Sequence, residues 1–543
     1  MDAIKGFLGK GFLGKGFLGK GLQGRRAFLS GGLVMLGGAM LAAPVRAALA
    51  VPALNIRDFG AKGDGATIDS PAIDKAITEA AARGGGTVFV PAGTYACYTI
   101  HLKSRVTLYL DQGAVILAAP VPVDGTTSGG YDAAEPQDPA FEAFQDYGHN
   151  HWKNSLIHGE GLHDIAIIGE GMIYGKGLSR GLGHDTDLPK SDRPGVGNKA
   201  IALKNCFNVQ LRDFKLKQGG WFALLATGVD NLVIDNLMVD TNRDGLDIDC
   251  CKNVRVSNCT VNSPYDDGIC PKSSFALGYA RATENVTITN CWLSGCYEVG
   301  SVIDGTFKRM PVTFNGTGRI KCGTESNGGF KNITVSNCVF DMSRGIALET
   351  VDGAHLEDIA ITNITLRGAQ NSPLFLRLGR RMRGPKDAAI GTLKRVMISN
   401  ITSSSGSMMP SIIAGVPGFP VEDVKISDVY LEQVGGAGAA MAMIQPKNQD
   451  DNYPEPKNFG DLPASGFFIQ HAKNLELSHV EIAVQAADAR PAFWLQDVDG
   501  FDISTLRAPQ APVFNLNGVK AFRSWGHAAL PDRRFDNLTT GVY

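Results

Sequence analysis

Short segments in which apolar and polar residues alternate recur along most of the chain. Each starts at Asn or Asp, continues as apolar-x-apolar-x, and is often followed by a second Asn or Asp and another alternating pair. Alternation with a period of two predicts short β-strands with one buried face. The segments start at Asp164, Asn208, Asn231, Asn253, Asn285, Asn332, Asp358, Asp423 and Asn474, with a further copy at Arg395.

The spacing of these segments predicts a solenoid. Successive intervals are 44, 23, 22, 32, 47 and 26 residues, then 65 across the Arg395 copy, and 51. Strands that recur about every 20 to 50 residues indicate stacked coils. Asn at the start of most segments supports this, because Asn tolerates the left-handed backbone of tight corners. Since no helical pattern lies between the strands, alternating strand–helix units are excluded. We predict an all-β fold, a right-handed, single-stranded parallel β-helix.

A single short capping helix is predicted near the start of this solenoid. Ser70 is a candidate N-cap, Pro71 occupies the first helical position, and apolar residues follow at helical spacing as far as Ala81. Glycines at 84–86 end the helix. Such a helix would cover the exposed hydrophobic end of the coil stack.

Several longer segments lack the alternating pattern and are predicted to be loops. Inserted loops of a solenoid tend to line one face, often the binding face. One of them carries Arg380, Arg381 and Arg383, which would weakly attract an acidic ligand. The loops span residues 126–154, 182–198, 307–317, 380–389 and 446–464.

Length and composition fit one long repeat domain. A chain of 543 residues would ordinarily suggest two domains, but a repeat fold has one continuous core. The 66 glycines fit a fold with many tight corners. The predicted divisions are a low-complexity start and export signal at 1–50 and a single β-helix domain at 51–543, with a cap at about 55–120, coils at about 155–510 and a tail at about 511–543.

The first 50 residues resemble a targeting segment. A Lys-Gly-Phe-Leu-Gly motif occurs three times from Lys5 onward. Arg25 and Arg26 then precede an apolar run at 33–43 and small residues at 45–50, which is typical of a bacterial twin-arginine export signal. An ordinary secretory signal would lead to the same destination. Because a membrane span needs about 20 apolar residues, we predict an exported, periplasmic or secreted protein without a stable membrane span.

Charge and cysteine content narrow the chemistry. The formal charge of −2 gives no bulk attraction for nucleic acid or membranes. The ten cysteines include no CxxC pair and no other set of metal ligands is visible, so no metal or cofactor is expected. Cys259, Cys291 and Cys338, with Cys206 at an offset, follow Asn in predicted strands, where free, buried, stacked thiols are expected. Export leaves room for one or two disulfides.

A cluster of acidic residues indicates where the chemistry lies. Asp244 lies 22 residues before Asp266 and its neighbour Asp267, and this interval equals one predicted coil. Because coils stack at about 4.8 Å, the three carboxylates are expected one above the other on the same wall. Crowding raises carboxyl pKa values and suits a glycosidase, which needs one protonated and one ionised carboxyl group. Turn formation at coil corners would also account for these residues.

Three motifs in the same order resemble glycoside hydrolase family 28, the polygalacturonase-like pectinases. The segment Asn242–Gly245 is similar to the family's Asn-Thr-Asp-Gly, and Tyr265–Asp267 is similar to its Gly-Asp-Asp, with Lys272 following as in family members. The segment Arg319–Lys321 is identical to its Arg-Ile-Lys. The resemblance covers about 55–400. It implies a pectin lyase-like β-helix and hydrolysis of α-galacturonic acid linkages in pectin.

The resemblance also implies roles. Asp266 would be the general acid, and Asp244 and Asp267 would activate water with inversion of configuration. Arg319 and Lys321 lie two apart on a strand and point the same way, which suits a substrate carboxylate. Arg319→Ala is then expected to erode galacturonide turnover with thermal stability nearly unchanged. The candidate substrate-binding residues are Arg319, Lys321, Asn242, Lys272, Tyr297 and Glu298.

The chain departs from the family at three places: Arg243 replaces Thr in the first motif, Tyr265 replaces Gly in the second, and a histidine is missing. The family's Gly-His-Gly should lie between the Asp pair and Arg-Ile-Lys, but residues 294–301 contain no histidine. Tyr297 and Glu298 are candidates for the vacated place, although simple packing or solvent exposure would explain both equally well. The missing histidine suggests a divergent bacterial branch that acts from a chain end or on rhamnogalacturonan.

Two other classes of function remain open. A pectate-lyase-like enzyme would share the β-helix but would need calcium and a basic residue that abstracts the C5 proton. A non-catalytic carbohydrate-binding β-helix would tolerate the missing histidine. In each case the expected partner is a pectic oligo- or polysaccharide, and a monomer is expected.

Overall fold

The alternating segments form the strands of three parallel sheets wound around one core. Within the described part of the chain, a typical coil gives one strand to each sheet, and each strand pairs in parallel with those one coil before and after. The fold is a right-handed parallel β-helix, as predicted. The computed structural model describes residues 53–543 except 122–129, 183–188, 242, 312–314 and 509–511.

We name the three sheets I, II and III. The short strands of sheet I are Ile100–His101, Ile157–Glu160, Lys199–Lys204, Phe222–Thr227, Asp244–Asp249, Ile269–Lys272, Ile320–Cys322, Ile346–Thr350, Leu374–Leu378 and Ser411–Ala414. Those of sheet II are Leu54–Asn55, Gly86–Val90, Val106–Leu110, His163–Ile168, Phe207–Arg212, Asp230–Asp235, Lys252–Ser257 and Thr283–Thr289. Those of sheet III are Asp64–Ile68, Gly93–Cys97, Ala114–Ala118, Met172–Tyr174, Lys215–Lys217, Met238–Asp240, Thr260–Asn262 and Trp292–Ser294.

Later coils use longer strands that serve two or three sheets in turn. These strands are Phe330–Asp341, His355–Ala369, Thr392–Ser405, Val421–Gly435, Phe467–Ala486, Phe493–Arg507 and Phe514–Trp525, followed by Arg533–Val542. A hairpin of Tyr297–Val299 and Lys308–Arg309 stands apart from the sheets. The helices are Ser70–Ala82 and Ala439–Ala442, with short 3-10 turns at Ile56–Phe59, Glu142–Phe144, Tyr147–His149 and Pro456–Phe459.

The core consists of identical positions stacked from coil to coil. Alternate residues of each strand point inward, so one register position of sheet I becomes a continuous apolar column. Every side chain in this column is buried. Its members are Leu224, Leu246, Ile269, Ile320, Ile346 and Leu374.

The recurrent Asn and Asp residues lie at coil corners with left-handed backbone, as predicted. All ten segment starts have positive φ, for example 55° at Asn208, 54° at Asn231 and 57° at Arg395. The side chains form a ladder along the stack, because Asn231 Nδ2 donates to Asn208 Oδ1 at 3.0 Å and Asn253 Nδ2 donates to Asn231 Oδ1 at 3.2 Å. The corner amides therefore fix the register of successive coils.

The helix near the N-terminus occurs, but its predicted cap is wrong by one residue. Ser70 is the first helical residue, and Asp69 occupies the N-cap position. The Asp69 carboxylate makes no capping hydrogen bond and accepts instead from the backbone N–H groups of Lys62, at 2.7 Å, and Gly63, at 2.9 Å. Asp and Ser both favour the N-cap position. Asp69 occupies it here while its carboxylate binds the backbone of the preceding turn.

Strands of the same sheets lie on both sides of the predicted coil region. Strands Gly86–Val90 and Val106–Leu110, within the predicted cap, pair in sheet II. Strand Phe514–Trp525, within the predicted tail, pairs in parallel with Phe493–Arg507, and Arg533–Val542 then covers its edge in antiparallel fashion. The chain after residue 50 forms one compact unit. The predicted export signal lies outside the described residues.

The cysteines contribute to the core as thiols. All ten lie in the described part of the chain, and all are free and buried. Cys291 contacts both Cys259 and Cys338, which form a stack across three coils. Within the described residues, no helix is both long enough and apolar enough to cross a bilayer.

Candidate active site

The candidate site lies on the outer face of sheet I. In strand Asp244–Asp249, Leu246 and Ile248 point into the core, so Asp247 and Asp249 point outward. Asp249 accepts hydrogen bonds from the Ser274 backbone N–H at 2.8 Å and from its hydroxyl at 2.6 Å. Asp249 is thus part of the scaffold, while Asp247 faces the cluster described below.

The three aspartates singled out in the sequence lie together. Asp244, Asp266 and Asp267 each place one carboxylate oxygen within 4.8 Å of the others. Close stacking of two coils makes this approach feasible, because a Cβ atom at Gly245 would lie only 2.3 Å from the carbonyl oxygen of Gly268. Asp244 and Asp267 are buried, whereas the side chain of Asp266 is 29% exposed. Asp266 is therefore the member that faces solvent.

Asp267 is held as a carboxylate by two cations. Its Oδ1 lies 2.6 Å from Arg319 Nε, and its Oδ2 forms an ion pair with Lys321. Burial raises the pKa of Asp267, but the charges of Arg319 and Lys321 outweigh burial and hold this pKa well below its usual range. Asp267 therefore stays ionised although it is buried.

The pKa values of Asp244 and Asp247 are raised, in contrast to that of Asp267. Burial, followed by the charges of Asp266 and Asp247, raises the pKa of Asp244 well above its usual range. Burial also raises the pKa of Asp247 to about 8, against a lowering by Lys272. Neither oxygen of Asp247 accepts a hydrogen bond from the described residues. Asp244 and Asp247 therefore both favour the protonated form.

A buried cluster around Asp247 escaped the sequence analysis. His149 Nε2 lies 3.8 Å from both Asp247 Oδ2 and Glu325 Oε2, and Lys272 Nζ lies 3.7 Å and 3.3 Å from the same two atoms. Burial lowers the pKa of His149, and neither ring nitrogen has a hydrogen-bond partner among the described residues. His149 lies in the predicted 126–154 loop, so the alternating pattern gave no signal for it. Asp247 could have been found as an outward position of its strand.

Arg319 and Lys321 are buried and do not face solvent. Both side chains reach Asp267, so the predicted common direction is observed, but each is only 3% exposed. Arg319 Nη2 also lies 3.0 Å from Glu455 Oε2, and Glu455 comes from the 446–464 loop. Their charges are thus neutralised within the protein. Any direct contact with a substrate carboxylate would have to displace these partners.

Not all of the other predicted substrate-binding residues contact Asp244, Asp266 or Asp267. Lys272 belongs to the Asp247 cluster, as described above. The Tyr297 hydroxyl donates to Asp341 Oδ2 at 3.0 Å, and its ring packs against Trp292 and Phe307. Asn242 and the side chain of Glu298 lie outside the described residues. The structure thus gives no contact between Tyr297 and the three aspartates.

Arg243 is a site residue that the sequence analysis quoted without a role. Its Nη2 lies 3.0 Å from Asp266 Oδ2 and 3.9 Å from Asp244 Oδ2. Its Nη1 donates to the Arg180 carbonyl at 3.0 Å, and its guanidinium lies 5.0 Å from the centre of the Trp221 ring. Trp221 is 6% exposed and packs in an aromatic cluster, so its role here is to support Arg243.

Three of the predicted loops wall the site. Gly148 packs against Trp221 and Phe222, where a Cβ would come within 2.6 Å of the Phe222 ring. The side chain of Arg383 crosses from the 380–389 loop to donate to the Phe144 carbonyl at 2.7 Å. The loop arginines are paired within the protein: Arg380 with Asp451, Arg381 with Asp352, and Arg383 with Asp146 and Glu325.

Known proteins resemble this chain in sequence. A family profile described as "Rhamnogalacturonase A/epimerase, pectate lyase-like" matches residues 53–125, and one described as "Right handed beta helix region" matches residues 191–317. A probable polygalacturonase of Vitis vinifera is 25% identical over 309 residues, which is 54% of this chain and 55% of that protein. The chain spans little more than half the length of the curated relatives it matches.

Solved structures share the fold. A hyperthermoactive exopolygalacturonase from Thermotoga maritima has a TM-score of 0.58 at 18% identity, over 80% of this chain and 92% of that one. A family 28 exopolygalacturonase of Yersinia enterocolitica has a TM-score of 0.61 at 18% identity, over 84% of this chain and 79% of that one. At this identity the likeness establishes the fold alone. In its three ordered motifs and its sequence relatives, the chain is similar to the polygalacturonases.

Proposed function

We propose that this protein is a glycoside hydrolase that cleaves α-galacturonic acid linkages in pectic polymers. The observation that carries the proposal is the convergence of Asp244, Asp266 and Asp267 within 4.8 Å on the outer face of sheet I. A glycosidase needs one carboxyl group that can donate a proton and another that stays ionised. The named polygalacturonase relatives give the substrate class.

The charges of the three aspartates assign a role to each. Asp267, fixed by Arg319 and Lys321, stays ionised and can activate water. Asp266 is the exposed member and would protonate the leaving oxygen. Asp244 favours its protonated form and can return a proton to Asp266 between turnovers. Asp266 and Asp267 thus keep the roles that the family resemblance implies, whereas Asp244 is assigned to proton return instead of water activation.

The stereochemical outcome needs its own test. Acid and base of inverting glycosidases usually lie about 6.5–9.5 Å apart, a wider spacing than that of the three aspartates here. We retain inversion as part of the proposal because the family resemblance implies it. Proton NMR of the first product anomer in real time would decide, since a retained α configuration would contradict it.

The activity is tested by product analysis. The purified protein is incubated with polygalacturonate and, separately, with rhamnogalacturonan oligomers, and new reducing ends and product sizes are measured. We expect reducing ends from polygalacturonate. Single galacturonate units would indicate action from a chain end, and a ladder of oligomers would indicate internal cleavage. Sugar binding without any reducing-end release would overturn hydrolysis in favour of a binding protein.

A calcium-dependent lyase is the second candidate. The three aspartate oxygens are spaced closely enough to hold a divalent cation. Against this, Arg319 and Lys321 already neutralise Asp267, which leaves less negative charge for a cation. A lyase would release unsaturated products that absorb in the near ultraviolet, and a calcium chelator would abolish the activity. Hydrolysis should produce no such absorbance and should tolerate the chelator.

We further propose export through the twin-arginine route and a monomeric state. The paired Arg25 and Arg26 before a short apolar run motivate the route. Replacing both arginines with lysine should keep the full-length precursor in the cytoplasm, and unchanged export would contradict the proposal. Light scattering on a sizing column would test the monomer.

A further inference from the structure

Arg243 stands where the family motif has threonine, at the solvent-facing edge of the aspartates. Four cations touch the aspartates of the site, and their side chains differ in exposure. Arg243 is 24% exposed, whereas Arg319 and Lys321 are 3% and Lys272 is 5% exposed. An incoming anion therefore meets Arg243 first.

The partner of Arg243 also distinguishes it. Arg319 and Lys321 are bound to Asp267, which is fully buried. Arg243 is bound to Asp266, which is 29% exposed and can turn toward solvent. The nearby Arg383 is exposed as well, but its Nε, Nη1 and Nη2 all bind protein oxygens. Among these cations, Arg243 can exchange its carboxylate partner at the lowest cost.

The surroundings of Arg243 hold its guanidinium in place for such an exchange. The Trp221 ring supports one face and the Arg180 carbonyl accepts from Nη1, so loss of Asp266 would leave the group in position. Arg180, whose carbonyl accepts this hydrogen bond, also lines a cavity of about 130 Å³ together with Lys217, Thr241 and Pro264.

We propose that Arg243 is a specificity-determining residue that receives the carboxylate of a galacturonate unit. In the resting site Asp266 occupies this position, and the substrate carboxylate replaces it as the sugar binds. The exchange frees the Asp266 carboxylate from its salt bridge, and Asp266 then takes up a proton from Asp244 or water, so recognition of the acid group and protonation of the proposed general acid occur together. A neutral hexose makes no such exchange. This inference rests on the proposed function, since it names the recognition element of the same site.

The test separates charge recognition from general damage. Arg243→Met and Arg243→Lys are compared with wild type for kcat and KM on trigalacturonate and on its carboxyl-reduced analogue. Loss of a charged hydrogen bond predicts that the preference of Arg243→Met for the acidic substrate falls about ten- to a hundred-fold. Arg243→Lys keeps the positive charge but loses the paired N–H donors of the guanidinium, so its preference for the acidic substrate should lie between those of wild type and Arg243→Met. Arg212→Met is the matched control, because Arg212 pairs with Asp235 on sheet II.

Direct binding keeps this test independent of turnover. Calorimetry compares D-galacturonate with D-galactose on wild type, Arg243→Met and Arg319→Met, each checked for an intact circular dichroism spectrum. A preference lost in Arg243→Met supports the proposal. A preference unchanged in folded Arg243→Met, or lost only in Arg319→Met, overturns it. If polygalacturonate is not hydrolysed but the preference still depends on Arg243, the proposed function fails and this inference stands.

Discussion

Arg319→Ala should destabilise the protein, because the Arg319 guanidinium joins two buried carboxylates. Its Nε lies 2.6 Å from Asp267 Oδ1, and its Nη2 lies 3.0 Å from Glu455 Oε2. The side chains of all three residues are 5% exposed or less. Removing the arginine leaves two buried negative charges with less compensation, so stability as well as turnover should be lost. This expectation replaces the sequence-based one, in which stability was nearly unchanged.

The magnitude follows from the partners that remain. Removing one member of a buried ion pair costs about 3–5 kcal/mol. Asp267 keeps Lys321, and Glu455 keeps Arg344 at 3.2 Å, so we expect the lower end of that range. In a folded unit of about 490 residues, with an unfolding entropy of about 2.1 cal/mol/K per residue, this lowers Tm by only about 3 °C. The free energy of unfolding is therefore the better observable.

Urea unfolding followed by tryptophan fluorescence measures this change. Arg344→Ala is the matched control: it removes the other arginine from Glu455, but Arg344 is 16% exposed and does not touch Asp267, so the loss should be smaller than in Arg319→Ala. Arg319→Ala combined with Asp267→Asn should regain part of the stability, since an unpaired charge is removed. A loss in Arg319→Ala no larger than in Arg344→Ala would refute the reasoning and favour a substrate-facing Arg319.

Three further predictions concern the aspartates and the histidine. Asp266→Asn should reduce kcat by about 10²–10⁴-fold without altering the circular dichroism spectrum, and full activity in a folded variant would remove Asp266 from the mechanism. Because burial raises the pKa of Asp247 to about 8 from an ordinary 3.8, its contribution to stability is complete below about pH 4 and is lost as pH rises through 8. Asp247→Asn should flatten Tm against pH over this window, and an unchanged slope would contradict the assignment. His149→Ala should lower turnover more than Tyr297→Phe, which only loses a hydrogen bond to Asp341; the reverse order would return Tyr297 to the vacated histidine position.

The sequence predicted the features that depend on the coil period. Positive φ at Asn208, Asn231 and the other segment starts follows from the residue type and the repeat. The approach of Asp244 to Asp266 follows because 22 residues make one coil. Contacts between a coil and an inserted loop carry no period, so the pairing of Arg319 with Glu455, 136 residues away, gave no signal.

The sequence also does not predict which partner a charged side chain of the site faces. The Arg-Ile-Lys pattern predicts that Arg319 and Lys321 point the same way, but not whether solvent or Asp267 faces them. Burial decides that question, and burial here depends on the 446–464 loop that brings in Glu455. His149 is another loop residue, and its position over Asp247 follows from packing alone. Site chemistry contributed by loops therefore needed the structure.

The hydrogen-bond ladder of corner amides is the same whatever the length of the coil between two corners. Asn253 Nδ2 donates to Asn231 at 3.2 Å across 22 residues, and Asn332 Nδ2 donates to Asn285 at 2.8 Å across 47 residues. A coil can thus lengthen by more than twofold elsewhere while its corner stays in phase with the one below. Loops around sheet I can therefore change length without shifting the ladder, provided that loop residues paired with the site, such as Glu455, are kept.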